Sequence, residues 1–588
     1  MLERLISSLR GAAVACGALM LLGTAACRGD DDGREAKAAT PDEAWSPQNV
    51  SEVRGVPARA VRGAIAQRLE AARPGALDAR QWRRVQRLYQ RYGQGPLWFQ
   101  RSGLDEARTS ALLKALTDAH TDALRLEAYP LNDLARALVA VGEAKRPTPR
   151  QLAEADVLLT SAYAALGTDL LTGQVDPRTV SQSWHIDPQE ERVDSALTAT
   201  LRSEPLARAI ARMRPQDEDY AALQRELQRY RRLAAGRPWP SVPAGEALKP
   251  GDPDAAARLA ALRQRLQAEG LLGATPAAAQ PVQPAGAGQR TPAPGAVYDS
   301  TLAGAVAEYQ ARHGIEADSV LGEETVASLN VPPRYRVAQI AANLERFRWL
   351  PRSLGQRYVL VNVPAFRLEA FDGGRSVLQM RVIVGSEFDD RATPVFSDSM
   401  EYAVFRPYWL VPDTIAAKEL FPKAQADPSY FATNRYELYQ EEGKTRIRQK
   451  PGPKNSLGLV KFLFPNEFSI YLHDTPQDSL FREDVRAFSH GCIRLEKPDQ
   501  LARYALGWDL ERIQRAMQEG PDDRRVDLPR KLPVYIAYFT TYMRNGRLYF
   551  GNDLYERDET LVRAVAGGAV PSAEALRALE SLRRFVLE

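Results

Sequence analysis

The spacing of apolar residues changes along the chain, and the change divides it. Between residues 61 and 236 apolar positions recur every three or four, as in Val61, Ile65 and Leu69, the period of a helix with one buried stripe. This stretch predicts mostly helix. It is interrupted at 92–99, where Gly93, Gly95 and Pro96 stand among Tyr92, Leu97, Trp98 and Phe99. From about residue 356 the period falls to two. Residues 358–363 and 366–371 read as strands, Asp372-Gly373-Gly374 as a hairpin turn and 377–384 as the returning strand. Further strands are expected at 401–405, 468–472 and 492–495, with a closing β stretch over 534–542 and 548–550. Helices are expected at 498–506, at 509–519 and at the C-terminus.

Two segments break this plan. Residues 250–335 read as a small three-helix module, with helices over 253–270, 298–314 and 323–329. A linker rich in Ala, Pro, Gln and Gly at 274–296 splits it, and Pro332-Pro333 reads as the stop after its last helix. Residues 413–458 are polar, contain Gly and Pro, and lie inside the β region. An insertion of that length is expected to cover an active site as a lid. The expected architecture is multidomain α+β: a helical N-terminal scaffold at 61–245, the module at 250–335, a mainly-β domain at 356–555 and a C-terminal helix at 556–588.

The first residues follow neither period. Arg4 and Arg10 precede an apolar run at 11–23, then Thr24-Ala25-Ala26-Cys27. This is a secretory signal at 1–26, its apolar run too short to span a bilayer. Its end resembles a lipoprotein processing box that would place lipid on Cys27, with ordinary cleavage near Ala26 as the alternative. Arg28 in place of Asp after that cysteine points to the outer membrane in such lipoproteins. Residues 27–60 read as a flexible tether. The expected location is the periplasm or cell envelope.

Composition narrows the function. The 588 residues carry a formal net charge of +4, 44% hydrophobic and 26% charged residues, which gives no charge-based case for nucleic acid. There are three cysteines, Cys16, Cys27 and Cys492. The first is discarded with the signal and the second is blocked if lipidated. Cys492 is then a lone thiol in an oxidising compartment. It is either a buried core residue or a nucleophile.

The segment Ser489-His490-Gly491-Cys492-Ile493-Arg494-Leu495, with His473 upstream, decides between them. A thiol reacts as thiolate and needs a base or cation nearby. Gly491 lets backbone approach a substrate and points N–H groups at an oxyanion. Arg494, two residues past Cys492, shares its face on a strand and suits a carboxylate-bearing peptide. His490, at i−2 on an extended strand, stands roughly 7 Å from Cys492, beyond the reach a base needs. His473, at the end of another strand, meets the thiol across the sheet. Zinc is the competing reading, but it lacks a second cysteine and has only Asp474, Asp478, Glu483 and Asp484 nearby. No metal and no cofactor are expected.

His473, fifteen intervening residues and Ser-His-Gly-Cys-Ile-Arg-Leu together resemble the signature of YkuD-type L,D-transpeptidases. Residues 470–476, 448–455, 457–458, 461–462, 464–466 and 408–412 extend the likeness to the large YcbB-like subgroup. Within the module, Tyr298-Asp299, Tyr309-Gln310, His313-Gly314, Asp318, Gly322 and Leu329-Asn330 resemble a helical peptidoglycan-binding domain. The resemblance implies acyl transfer between peptidoglycan stem peptides, a tetrapeptide donor and an amine acceptor, giving 3-3 cross-links. It implies Cys492 as nucleophile and His473 as base, oriented by a backbone carbonyl that Asp474 is placed to supply. Ser489, His490, Gly491 and Arg494 would support the site. Tyr471 and Trp409 are candidates for the contact surface of the lid, with a core aromatic as the alternative for Trp409, and the resemblance implies that carbapenems acylate the thiol. A hydrolase acting on cross-links or wall-bound lipoprotein, an L,D-carboxypeptidase and a non-catalytic wall-binding scaffold are the alternatives. An NlpC-type amidopeptidase is disfavoured, because it places Cys before His.

Overall fold

A computed structural model describes residues 50–187, 192–203, 205–236, 239–273, 296–386, 391–569 and 572–587. The expected signal, Cys27, most of the tether and the linker at 274–295 lie outside the described residues. Regular structure begins earlier than the tether's expected end. Glu52–Val53 pairs with Val56–Pro57, and the first helix starts at Ala58.

The helical part is organised by the helix Pro149–Thr172. The Thr148 hydroxyl accepts the Gln151 N–H, the Gln151 side chain accepts the Thr148 N–H, and Pro149 presets the first turn. This helix is buried on nearly every face, and helices Ala58–Glu70, Ala79–Arg91 and Leu131–Glu143 pack around it. The aromatic interruption finds its cause here. Asp156 accepts the N–H groups of Leu97 and Trp98, each at 2.9 Å, and the Tyr89 hydroxyl. The turn is thus anchored on a buried carboxylate, whose pKa burial pushes up to about 6.

Pro332-Pro333 opens a helix as well as following one. Pro333 is the first residue of Pro333–Trp349, where a missing N–H costs nothing. No amphipathic stripe announces this helix, because both of its faces are covered. Asn343, Glu345, Arg346 and Arg348 are all buried. Arg346 pairs with Asp558 at 2.6 Å and Arg348 with Glu345 at 2.5 Å. One apolar core runs from Tyr220, Leu223 and Leu227 through Ile340 and Leu344 to Val359 and Val361. The C-terminus holds two helices where one was expected, Asp558–Ala569 and Ala573–Leu587. The second folds back on Leu131–Glu143, with Asn132 Nδ2 donating to Glu574 Oε1 at 3.1 Å.

Helices Ala256–Ala268, Ser300–Arg312 and Glu323–Leu329 share a small core built on Leu259, Leu262, Leu266, Val306, Tyr309 and Leu329. This unit rests on the β domain through His313, which stacks on Tyr309 at 3.8 Å and on Phe550 at 5.3 Å.

In the β domain the strands are β1 Arg357–Asn362, β2 Arg367–Asp372, β3 Arg375–Gly385, β4 Phe396–Phe405, β5 Trp409–Leu410 and β6 Tyr436–Glu441. They continue with β7 Lys444–Gln449, β8 Val460–Leu463, β9 Leu472–His473, β10 Ala487–Ser489, β11 Ile493–Leu495, β12 Arg524–Ala537, β13 Thr541–Arg544 and β14 Arg547–Phe550, the last two a hairpin. Nine form one sheet in the order β10-β3-β11-β9-β8-β4-β12-β1-β2, and a further pairing of β2 with β3 closes it on itself. The β2–β3 hairpin turns at Gly373 and Gly374, both with positive φ, 58° and 78°. The expected strand at 468–472 shrinks to β9. The Asn466 side chain hooks the residues before it into a turn, accepting N–H groups from Phe468 at 3.1 Å and Ile470 at 3.2 Å. Cys492 precedes β11 rather than opening it.

The insertion is a folded unit that begins earlier than expected. β5, β7 and β6 form their own sheet, in that order, so it starts at Trp409 rather than at 413. Its base is clamped by buried Asn455, whose Nδ2 donates to the carbonyls of Pro407 and Lys450, each at 3.1 Å.

Candidate active site

Three strands from separate parts of the chain lie side by side as β8, β9 and β11. Lys461 is opposite His473, and His473 is opposite Arg494. Residues paired across neighbouring strands share a face, so these three basic side chains form one row. Two residues back on that face stand Tyr471 and Cys492, where the Ile493 N–H donates to the Tyr471 carbonyl at 3.1 Å. His473 is diagonal to Cys492, a spacing that a ring can bridge.

The thiol of Cys492 is half-buried. It faces the Ser469 carbonyl at 3.8 Å, with Tyr471 beside it. Burial pushes the thiol up to about 11, against the opposing pull of Tyr471, Arg494 and Lys461. His473 is pushed down to about 3, first by burial and then by the adjacent Arg494 and Lys461 cations. At neutral pH the pair is therefore a neutral thiol and a neutral imidazole. His473 Nδ1 lies 2.5 Å from the Asp474 carbonyl. A carbonyl only accepts, so Nδ1 carries the proton and Nε2 keeps its lone pair.

The turn Ser489-His490-Gly491-Cys492 is internally stapled. Ser489 Oγ donates to the Cys492 carbonyl and accepts the Gly491 N–H at 3.1 Å. That N–H is thus engaged inside the turn and does not point outward as the sequence suggested. Gly491 has φ 111°, a left-handed region closed to most side chains, and a Cβ there would lie 3.0 Å from Ile470. Thr393 Oγ1 donates to the Gly491 carbonyl at 2.9 Å and accepts the Gly385 N–H at 3.0 Å.

His490 lies in this turn, not on an extended strand, which corrects the spacing argument made for it. Its Nε2 is 2.6 Å from Glu419 Oε1, and Glu419 also receives Arg391 at 3.2 Å. Burial opposes ionisation of Glu419, but His490 and Arg391 together hold its carboxyl below the ordinary range. Glu419 belongs to the π-turn Ala416–Leu420 of the insertion, so the insertion meets the turn that carries Cys492 here. Arg494 donates to Gln477 Oε1 at 2.5 Å. Trp409 lies on β5 of the insertion, next to Tyr408, whose carbonyl faces Lys461 Nζ at 3.5 Å. It packs in the insertion's core with Val411, Leu420 and Ile447, 6.3 Å from the Tyr436 ring.

Residues 356–536 match the family model of the YkuD L,D-transpeptidase catalytic domain, and residues 83–227 match that of the scaffold domain. The chain carries a YkuD-type L,D-transpeptidase catalytic domain. A Haemophilus influenzae protein, provisionally named an L,D-transpeptidase, is 31% identical over 243 residues, covering 38% of this chain and 48% of that protein. The chain thus matches about half the length of this curated relative. A solved L,D-transpeptidase from Xylanimonas cellulosilytica aligns at 15% identity over 50% of this chain and 98% of its own, with a TM-score of 0.16.

Within the transpeptidase domain the Asp474 carboxylate is a loop staple. It accepts the N–H groups of Leu459 and Thr475, each at 2.7 Å, and burial pushes it up to about 6. Gly458 makes room for it. This residue has φ +63°, and a Cβ would fall 2.4 Å from the Asp474 carboxyl carbon. Gly458→Ala should therefore cost roughly 2–4 kcal/mol, combining overpacking with left-handed strain. Urea unfolding measures this, and an unchanged midpoint would refute the tight fit. Sequence reasoning missed Lys461, Thr393 and Glu419 as neighbours of the site. Lys461 was noticed only as part of a motif, and strand register alone gives it a place.

Proposed function

We propose that the chain is a peptidoglycan L,D-transpeptidase that forms 3-3 cross-links through a Cys492 thioester. The observation that carries this reading is the shared face of Cys492, His473, Tyr471, Arg494 and Lys461. In the first step the thiol proton passes to His473 Nε2 as sulfur attacks the carbonyl between the third and fourth residues of a tetrapeptide stem. The carbon–nitrogen bond breaks, and terminal D-alanine leaves with a proton from the imidazolium. The side-chain amine of another stem's third residue then attacks the thioester, gives its proton to His473 and releases the thiol. Arg494 and Lys461 suit the anionic stem and the charge that develops on the attacked oxygen.

Water competes with the amine for the thioester and would give a carboxypeptidase. An insertion latched to the nucleophile turn by Glu419 and His490 favours an acceptor that carries its own binding contacts. In this reading the three-helix unit at 250–335 holds peptidoglycan, and a lipid on Cys27 fixes the protein to the outer membrane, facing the periplasm. The test is direct. Tetrapeptide muropeptide monomers incubated with the protein should yield dimers linked between third residues, identified by fragmentation mass spectrometry. Tripeptides without dimers would replace the cross-linker with a carboxypeptidase, and unaltered monomers would reject acyl transfer altogether.

A further inference from the structure

The segment 181–187 leaves the helical part and lies on the β domain, where acyl transfer assigns it no task. Its backbone forms a parallel bridge with Val395, just before β4. The Val395 N–H donates to the Ser183 carbonyl at 2.9 Å, and the His185 N–H donates to the Val395 carbonyl at 2.7 Å. Trp184 is buried and set edge-on against Trp349, with ring centroids 4.9 Å apart. This anchor fixes the segment between the two parts of the molecule.

Two paths lead from it to the nucleophile. Val395 is two residues past Thr393, whose hydroxyl holds the Gly491 carbonyl. On the other side the His185 ring lies on Phe468, centroids 4.6 Å apart, and Phe468 packs in turn on Phe396 at 4.9 Å. Phe468 directly precedes Ser469, the residue whose carbonyl faces the thiol at 3.8 Å. Ser469 has φ +54°, a conformation that a residue with a side chain keeps only when its surroundings impose it. Asn466 imposes it through the neighbouring N–H groups. The packing of Phe468 against His185 and Phe396 holds the ring beside it.

We propose that His185, carried by the helical part, is a positioning residue for Cys492. It acts through Phe468 and Ser469, and the segment 181–187 belongs to the frame of the catalytic centre. The His185 side chain is exposed, so its contact with Phe468 is not explained by core burial. The proposal rests on Cys492 being the nucleophile, and it extends the centre beyond residues 356–536, which match the catalytic family. The ring contributes by a tilted contact, its plane at 46° to that of Phe468, so another aromatic ring of similar size serves.

The test uses the full chain with His185→Ala, His185→Phe, Phe468→Ala and the His185→Ala/Phe468→Ala double variant. Thioester formation is followed under saturating donor, and iodoacetamide labelling of Cys492 is followed separately. His185→Ala should lower kcat by about tenfold with little change in KM, the scale of a small misplacement of a reacting group. His185→Phe should return kcat to within about twofold of the natural chain, because the ring-to-ring contact is kept. The double variant should be no slower than Phe468→Ala alone, because both act through one path. A natural kcat in His185→Ala, losses that multiply in the double variant, or a Phe variant as slow as the Ala one would each overturn the proposal. If the natural chain forms no thioester, the fault lies with acyl transfer. Labelling then decides the positioning role alone, with slower alkylation of folded His185→Ala expected and an unchanged rate overturning it.

Discussion

Cys492→Ser should reduce cross-linking by about 10⁴-fold or more while the thermal transition stays in place. The hydroxyl is nearly the size of the thiol, so the stapled turn of Ser489, Gly491 and Thr393 has no reason to rearrange. The chemistry differs. The site already pushes the thiol up to about 11, and the same burial acts on an alcohol that begins several units higher. Passing its proton to the His473 imidazole is correspondingly harder than passing the thiol's. Two measurements check this: muropeptide dimers counted by mass spectrometry, and intact mass after exposure to a carbapenem. The natural chain should gain one adduct, on the peptide that contains Cys492, and the variant none. Persisting dimers in the serine variant would remove Cys492 from the mechanism.

His473→Ala should lower kcat by about 10²- to 10⁴-fold, the range for loss of a general base. His490→Ala should keep most of the reactivity of the thiol, because its side chain is turned to Glu419 rather than toward the row of Lys461, His473 and Arg494. Iodoacetamide labelling against pH separates the two, and the reverse order would exchange their roles. A second signature belongs to His473 alone. Its folded pKa, about 3, lies below the unfolded value of about 6.5. The native state therefore binds fewer protons than the unfolded chain between those values. Stability contributed by this group is present above about pH 6.5 and is lost as pH falls toward 3. Denaturant unfolding of His473→Ala should show a shallower acid loss across that window, and an equally steep loss would refute the depressed pKa.

Much of the site was legible because its chemistry is compressed into a short sequence. The lone thiol, the glycine before it and the two histidines lie within twenty residues, and alternation located the main strands around them. What stayed hidden depends on contacts distant in sequence. Lys461 becomes part of the site only through its register with His473. Glu419 sits in a polar stretch where nothing local distinguishes it from other surface carboxylates. The same separation concealed the helix Pro333–Trp349, whose buried arginines are paired with Asp558 and Glu345 and so read as solvent-facing in the sequence. The turn that carries His490 reads as strand in the sequence, because apolar alternation runs through Ile493 and Leu495 on its far side. Trp409, a candidate for the contact surface of the lid with a core aromatic as the alternative, packs inside the insertion. Its partners turn out to be Val411, Leu420 and Ile447.

The core that runs from Tyr220 through Leu344 to Val361 separates what is inherited from what folds. The portion that matches the catalytic family spans residues 356–536, whereas the compact unit spans 46–588. A substitution deep in this shared core, at Ile340 or Leu344, therefore acts on the yield of active molecules without approaching the site. Such a change lowers the abundance of competent molecules while each survivor works at its full rate. In a population under selection the two kinds of damage, to dose and to rate, would be scored alike.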